Sequence, residues 1–467
     1  MIFSRIFVLL ITILFMINCT PKESALSDSK NKTKTLSAEL ESTEILKAME
    51  TVADWQLSNP VRIDVVYKPG ENQPTERVKI LWDGSLLLKE PREFESKIGG
   101  YPKSWQRFIS LVEDDISYSE LPNAVKETIT KTCNIDPSQI VNLQMADKAS
   151  KGWEMAAFYI GLTALSNISS KPYYFESMKA IGRANRWKIG DRIYHADDHC
   201  VGQMYLDMYS RFEDIEMLAD IKMKFDWIIN HPHSQKIEYL QSKNRWTWCD
   251  ALFMSPPVWT KLSALTGEKK YIDYMDGEWW LVTEHLYDKD EHLFFRDERY
   301  FEQRSKNGEK IFWGRGNGWV IAALARVLEN MPADYPSRDR YINLFHEMAN
   351  KMAEIQSDDG LWRTSLLDPV SYPSPEASGS GFICYALTWG INNGFLDEAE
   401  YFPVIKKTWE GLIGCIQADG KLGWIQLPGG GPDEVTSDKT ASYGVGAFLL
   451  AGSELFELVQ NIPVIQK

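Results

Sequence analysis

Residues 378–390, SGSGFICYALTWG, and residues 442–452, SYGVGAFLLAG, have helical composition and length, yet neither carries a polar face. A helix that is apolar or small on every side is stable only when surrounded by other helices. Two further stretches share the property, AAFYIGLTAL at 156–165 and GNGWVIAALA at 316–325. Between them lie helices of the opposite kind. In 336–356, Tyr341, Leu344, Phe345, Met348, Met352 and Ile355 fall on one face, and Ile215, Leu218, Ile221, Phe225 and Ile228 do the same further upstream. Such one-sided helices belong on an outer layer. The two kinds alternate from about residue 153 onward, and with 43–58 as the first outer member the count is about twelve helices in about six pairs. That pattern predicts an all-α (α/α)6 barrel. Its buried helices open near Trp153, Asp198, Asp250, Gly314, Ser378 and Ser442. Alternating antiparallel helices bring those openings to one rim, where six partly positive helix N-termini suit an anion such as a uronate.

Residues 61–150 interrupt the helical pattern. RIDVVY at 62–67 alternates like a strand, VKILWDGSLLL at 78–88 suggests a hairpin around Asp83-Gly84, and ELPNAVKETI at 120–129 reads as a helix. A small α+β insertion between the first and second barrel helices is expected. Ahead of the barrel, Arg5 precedes the apolar run Ile6 to Ile17, which is too short for a permanent membrane span and reads as an export signal over 1–19. The run ends at Cys19, the expected lipid acceptor. Residues 20–40, rich in Ser, Lys and Thr, are expected to form a tether, and 41–467 the catalytic barrel. Export to the periplasm or outer membrane follows, with membrane contact only through the lipid.

The chain has 467 residues and a net charge of -14, and no Lys/Arg stripe follows a phosphate backbone, so nucleic acid is not an expected partner. Cys133, Cys200, Cys249, Cys384 and Cys415 show no CxxC spacing and read as buried thiols. No HExxH or comparable His spacing is present, and neither a metal nor a cofactor is expected.

Polar residues at the openings carry the candidate chemistry. HADDHCVGQMYLDMY at 195–209 places Asp197 and Asp198 together, one read as a helix cap and the other as available to substrate. WTWCDALFMSPP at 246–257 sets Asp250 among Trp246, Trp248, Phe253 and Met254. Either Asp250 is only a cap, or desolvation by those side chains raises its pKa to that of a general acid, helped by repulsion from Asp198. In WGRGNGW at 313–319, three glycines suggest close backbone approach to a ligand, Arg315 offers a fork for a carboxylate, and Trp313 and Trp319 offer stacking faces. PEASGSGF at 375–382 and ASYGVGAF at 441–448, with Tyr443, supply hydroxyls or simply close helix packing.

Taken in order, WCDALFM…P, WGRGNGW, ASGSGFICYALTWGINNG and YGVGAFLLAG resemble glycoside hydrolase family 105, with a fainter likeness to family 88, over residues 150–460. The resemblance implies removal of a 4,5-unsaturated uronic acid from the non-reducing end of lyase-generated oligosaccharides. It implies Asp250 as the catalytic acid, Asp198 or Asp197 as the supporting carboxylate, and substrate contacts from Arg315, Trp319 and Tyr159. One departure bears on substrate: LFFRDERYF at 293–301 places Arg296 where relatives tend to show a His. A guanidinium suits a sulfated or otherwise anionic neighbouring sugar, as in ulvan fragments, better than a neutral one. A lyase or epimerase on the same barrel and a glycan-binding lipoprotein without activity are the rival readings.

Overall fold

The structure is a computed structural model, which describes residues 40–58, 151–232, 237 and 245–460, and the backbone of three strands between 61 and 144. The signal segment, Cys19, the tether, Cys133, the Asp83-Gly84 turn and the 120–129 helix fall outside the described residues.

Twelve long helices stand among the described residues. Six are inner: α2 (Trp153–Ile168), α5 (Gly202–Phe212), α8 (Pro256–Thr266), α10 (Gly314–Asn330), α12 (Ala377–Asn392) and α14 (Ser442–Gln460). Six are outer: α1 (Ser42–Ser58), α3 (Pro172–Ala184), α6 (Glu216–Asn230), α9 (Lys270–Leu286), α11 (Arg338–Glu354) and α13 (Glu398–Gly414). The inner helices pack in the order α2, α5, α8, α10, α12, α14, and α14 returns to α2, so the ring is closed. Each outer helix packs on an inner neighbour, α1 on α14. The chain folds as the (α/α)6 barrel that the alternation predicts.

Side-chain size explains why the ring closes tightly between its last and first members. A Cβ on Gly446 of α14 would stand 2.1 Å from the carbonyl oxygen of Ala157 in α2, and one on Gly161 would stand 2.3 Å from that of Gly446. The two backbones touch, and only glycine permits it. Helix α14 is apolar enough to cross a membrane by composition, but 78% of that window is buried inside the protein. Its apolarity therefore fills the barrel core.

Outer helices bury one stripe, as expected. In α11, Tyr341, Leu344, Phe345, Met348 and Met352 are buried. In α6 the stripe is Met217, Leu218, Ile221, Phe225 and Ile228, whereas Ile215 precedes the first turn and is 63% exposed. Residues 61–144 contribute a three-stranded antiparallel sheet, with β1 (Val61–Tyr67) between β2 (Arg77–Trp82) and β3 (Ile140–Gln144).

The inner helices differ from expectation where the carboxylates lie. Asp198 and Asp250 do not begin long helices. They sit at two short ones, α4 (Ala196–His199) and α7 (Ala251–Met254), which precede α5 and α8. Pro256 and Pro257 lack the N-H groups that would continue α7, so the chain turns at Ser255 and restarts as α8. These single turns lift the acids toward the rim. A two-stranded ribbon, β4 (Tyr287–Asp288) with β5 (Leu293–Phe294), carries Arg296 to the same rim.

Candidate active site

Asp250 occupies the position before α7, but its side chain makes no capping hydrogen bond. Capping therefore does not explain it. The carboxyl is buried, and the Cys249 thiol lies 3.6 Å from its Oδ2. Burial raises its pKa above the usual value of 3.8, against the opposing charges of Arg296 and Arg315. The Arg296 Nε lies 3.5 Å from Oδ2 of Asp250. Arg315 acts on the same carboxyl from the start of α10, so acid and guanidinium share one end of the barrel.

Asp197 and Asp198 have opposite fates, although adjacent. His195 precedes α4, and neither acid caps it. Asp198 accepts hydrogen bonds from the Arg192 backbone N-H (2.8 Å) and Nε (3.0 Å), and also from its Nη2. Burial alone would raise this carboxyl, but the Arg192 bonds outweigh it and hold the pKa below the usual value. Gly190 lets it pack there, since a Cβ on that residue would meet the Asp198 carboxyl at 2.4 Å. Asp198 was expected to repel Asp250 and keep it protonated. Instead it is an ionised clamp on Arg192.

Asp197 has the properties expected of its neighbour. Burial pushes its pKa up to about 7, opposed by Arg192 and reinforced by repulsion from Asp250 and Asp198. Asp197 and Asp250 thus form a pair of carboxyls that disfavour each other's ionisation. The His195 ring stands beside them, with Nδ1 3.8 Å from Asp197 and its ring centroid 5.1 Å from that of Trp248. Burial pushes this imidazole down to about 4, so it is neutral near pH 7.

The WGRGNGW segment is built differently from its sequence reading. Its glycines approach protein, and the space a ligand would need is filled. A Cβ on Gly314 would strike the Arg363 carbonyl at 2.2 Å, one on Gly316 would meet the Trp313 ring at 2.9 Å and the Cys249 sulfur at 3.1 Å, and one on Gly318 would meet the Gly379 carbonyl at 2.9 Å. Trp319 is wholly buried among Phe253, Phe382 and Trp153, and so offers no sugar-stacking face. The Trp313 ring is covered by the Arg315 guanidinium at 4.4 Å, and its Nε1 donates to Gln426 Oε1 at 2.8 Å. Trp246 and Trp248 are buried too, at 4% and 6% exposure, so neither ring presents an open face.

Arg315 donates from Nη1 to the Gln426 carbonyl (2.6 Å) and from Nη2 to the Leu427 carbonyl (3.0 Å). Its fork thus holds a loop, while its charge still acts on Asp250. Tyr443 covers the other side of the guanidinium at 4.8 Å, donates its hydroxyl to the Gln426 carbonyl and stacks on Trp153. Tyr159 is fully buried. Among the described residues its hydroxyl has no hydrogen-bond partner, like Nε of Arg315 and Nε1 of Trp319.

Three features were not singled out from sequence. Gln426 ties the openings of α10, α12 and α14 together through Trp313, Arg315, Tyr443 and Glu376. The cluster of glycines at 429–431 that follows it is the signal that a loop there packs closely. Glu376 caps α12 by accepting from Ser378 N and Gly379 N. That helix end is satisfied by the protein's own carboxylate, so the expected ring of six anion-binding ends is incomplete. Asp297 is fully buried and accepts from Arg296 Nη1 at 2.6 Å and Arg299 Nε at 2.7 Å. Among the described residues no group of three His, Cys, Asp or Glu side chains is placed to hold a metal.

The family model for Glycosyl Hydrolase Family 88 matches residues 124–459. An unsaturated 3S-rhamnoglycuronyl hydrolase of Alteromonas sp. (strain LOR) is 38% identical over 320 residues, 66% of this chain and 78% of that protein. A protein of the same name from Formosa agariphila is 39% identical over 322 residues, 66% of this chain and 85% of that protein. Among solved structures, one named as a polysaccharide lyase is 33% identical with TM-score 0.62, covering 68% of this chain and 93% of its own. Glycosyl hydrolase family 88 from Bacteroides vulgatus is 30% identical with TM-score 0.61, covering 66% and 92%.

Proposed function

The chain belongs to glycosyl hydrolase family 88, and we propose on that premise that it hydrolyses oligosaccharides ending in a 4,5-unsaturated uronic acid, with Asp250 as proton donor. The observation that carries this reading is the Asp250 carboxyl itself: buried at the rim, excused from capping, and raised in pKa. Burial favours the acid form of that carboxyl, the form that protonation of an enol ether requires.

The reaction follows from the substrate's chemistry. Asp250 gives its proton to C4, and positive charge develops at C5 and the ring oxygen. Water adds at C5 and its proton returns to the Asp250 carboxylate. The resulting hemiketal opens and releases the aglycone, so no displacement at the anomeric carbon is needed. Asp197 supports the donor by discouraging its ionisation and is available to sugar hydroxyls. Asp198 is assigned to the Arg192 clamp.

Charge supports an anionic substrate. Arg192, Arg296, Arg299 and Arg315 are matched one for one by Asp197, Asp198, Asp250 and Asp297 only when all four acids are ionised. Burial disfavours ionisation of Asp250 and Asp197, and each proton they hold leaves the rim with excess positive charge. A uronate carboxylate meets that excess, and a sulfate on the next sugar, of the ulvan type, is the extension we favour because Arg296 lies beside the acid. Cys19 is proposed as a lipid anchor at the periplasmic or outer membrane on the strength of the apolar run before it; Cys19→Ser should move the protein from the membrane to the soluble fraction.

The test is loss of enol-ether ultraviolet absorbance on incubation with lyase-generated oligosaccharides of ulvan, rhamnogalacturonan and glycosaminoglycan. Wild type should bleach one or two of them, and Asp250→Asn none. A gain of absorbance on intact polysaccharide would identify a lyase, the activity after which one structural relative is named. Binding without change would leave only a glycan-binding role.

A further inference from the structure

Arg296 stands between two carboxylates and has one charge to share. Its Nη1 lies 2.6 Å from Oδ2 of Asp297, a charge-assisted hydrogen bond, whereas its Nε lies 3.5 Å from Oδ2 of Asp250. Asp297 is held in place: Arg299 donates to it from the backbone N-H (3.1 Å), from Nε (2.7 Å) and from Nη2 (2.8 Å). The carboxylate is completely buried, and those bonds outweigh burial to keep it ionised. On the far side, the Gly430 backbone lies against the guanidinium, where a Cβ would come within 3.4 Å of its central carbon.

We propose that Asp297 is a positioning residue for the reaction: it retains the Arg296 guanidinium, and so leaves Asp250 able to carry the proton that it donates. The inference rests on the reading of Asp250 as proton donor. An opposite charge within about 4–6 Å lowers a carboxyl's pKa by about 1–3 when nothing else neutralises it. Without the Asp297 charge, the Arg296 charge acts on the carboxyls left near it, Asp250 at 3.5 Å and Asp197. Loss of a nearby negative charge acts in the same direction. The other charged or titratable groups facing Asp250 are Arg315 from α10, Asp197 from α4, Cys249 beside it and Tyr300 from the turn after Asp297. None of them changes in an Asp297 variant, so the shift reports on the lost Asp297 charge together with the Arg296 charge that it no longer balances.

The experiment is the pH profile of kcat for absorbance loss in four full-length proteins: wild type, Asp297→Asn, Arg296→Gln and Asp250→Asn. Activity needs the acid form, so kcat falls as pH rises through the pKa of Asp250. In Asp297→Asn that alkaline limb should move acidward by about one pH unit or more, with much of the lost activity regained at lower pH. In Arg296→Gln it should move alkaline. A residue that merely braces the loop would lower kcat at every pH and leave the limb in place, and that outcome overturns the proposal. If Asp297→Asn does not fold, an unmoved or acid-shifted limb in Arg296→Gln overturns it equally. Turnover retained by Asp250→Asn would instead reject the proton-donor assignment, whereas an inactive Asp250→Asn beside an unmoved limb in Asp297→Asn rejects this inference alone.

Discussion

Nδ1 of His199 lies 2.7 Å from Oγ of Ser255, and this contact joins the two short helices that position the acids. His199 ends α4, two residues after Asp197, and Ser255 follows α7, five residues after Asp250. The other ring nitrogen, Nε2, is 2.8 Å from the Ile193 carbonyl, which can only accept, so Nε2 carries the proton. Nδ1 then accepts from the Ser255 hydroxyl, whose oxygen in turn accepts from Trp259 Nε1 at 3.1 Å.

His199→Phe should therefore loosen both acids at once. It leaves the buried Ser255 O-H without its acceptor and the Ile193 carbonyl without this donor, a cost of about 1–3 kcal/mol that urea unfolding will read. The wild type adds a pH signature. Burial holds His199 down at about 4, below its value of 6.5 in an open chain. Between those values the unfolded chain binds the extra proton, so the stability present above about pH 6.5 is lost as pH falls toward 4. His195 contributes in the same direction. The Phe variant should show a shallower loss over that window.

Asp197→Asn and Asp198→Asn should separate catalysis from scaffolding across one peptide bond. The Asp198 variant loses the negative charge and one of the two oxygens that hold Arg192 and should cost stability, with kcat changed only severalfold. The Asp197 variant should lose kcat by about 100-fold, the scale of a group assisting proton transfer. Its stability should move the other way with pH. The folded pKa of about 7 lies above the ordinary value of 3.8, so ionisation costs the wild type stability as pH rises between them. The Asn side chain has no such cost, and thermal melting at pH 8 should favour the variant by a few degrees relative to pH 4. Equal melting differences at both pH values would show that Asp197 is not raised.

How far the sequence carries this reading depends on the kind of information each residue holds. The barrel is legible because burial on every side leaves a compositional mark, seen in ICYALTWG and VGAFLLAG, that no surface helix shares. Asp250 is legible because a charge amid indoles needs a reason. The choice between Asp197 and Asp198 is not, because successive residues of one turn point in different directions and Arg192 reaches only the second. The glycines of WGRGNGW mislead because a backbone can approach a neighbouring helix as readily as a ligand. Gln426 is silent in sequence, since much of its role lies in backbone groups that any residue possesses: a carbonyl that accepts from Arg315 and Tyr443 and an N-H that donates to Glu376.

Arg315→Lys tests that carbonyl's role. A lysine keeps the charge near Asp250 but has no planar fork for the Gln426 and Leu427 carbonyls, nor a flat face between Trp313 and Tyr443. The loop at 426–431 should exchange amide hydrogens faster, and kcat/KM should fall by about 10-fold or more through a longer path to the acid. Because charge is retained, the alkaline limb of the pH profile should stay near that of wild type. A large limb shift would mean that Arg315 acts on Asp250 chiefly through geometry.

The closed ring makes a last demand that two glycine substitutions expose. Gly446→Ala puts a methyl 2.1 Å from the Ala157 carbonyl, and backbone lies on both sides, so no side chain can rotate away. Helices α2 and α14 must separate, and overpacking of that kind costs about 1–3 kcal/mol or more. In a closed barrel the displacement also reaches the openings of both helices, where Trp153 stacks on Tyr443 with centroids 5.1 Å apart. Activity should thus fall beyond what the melting temperature explains. Gly277→Ala is the counterpart: it lies within outer helix α9 with nothing inside 4 Å of the new methyl. There alanine should stabilise by about 0.5–1 kcal/mol through its better helix propensity, with kcat unchanged. If both variants melted alike, the contact between α2 and α14 would not be what closes the ring.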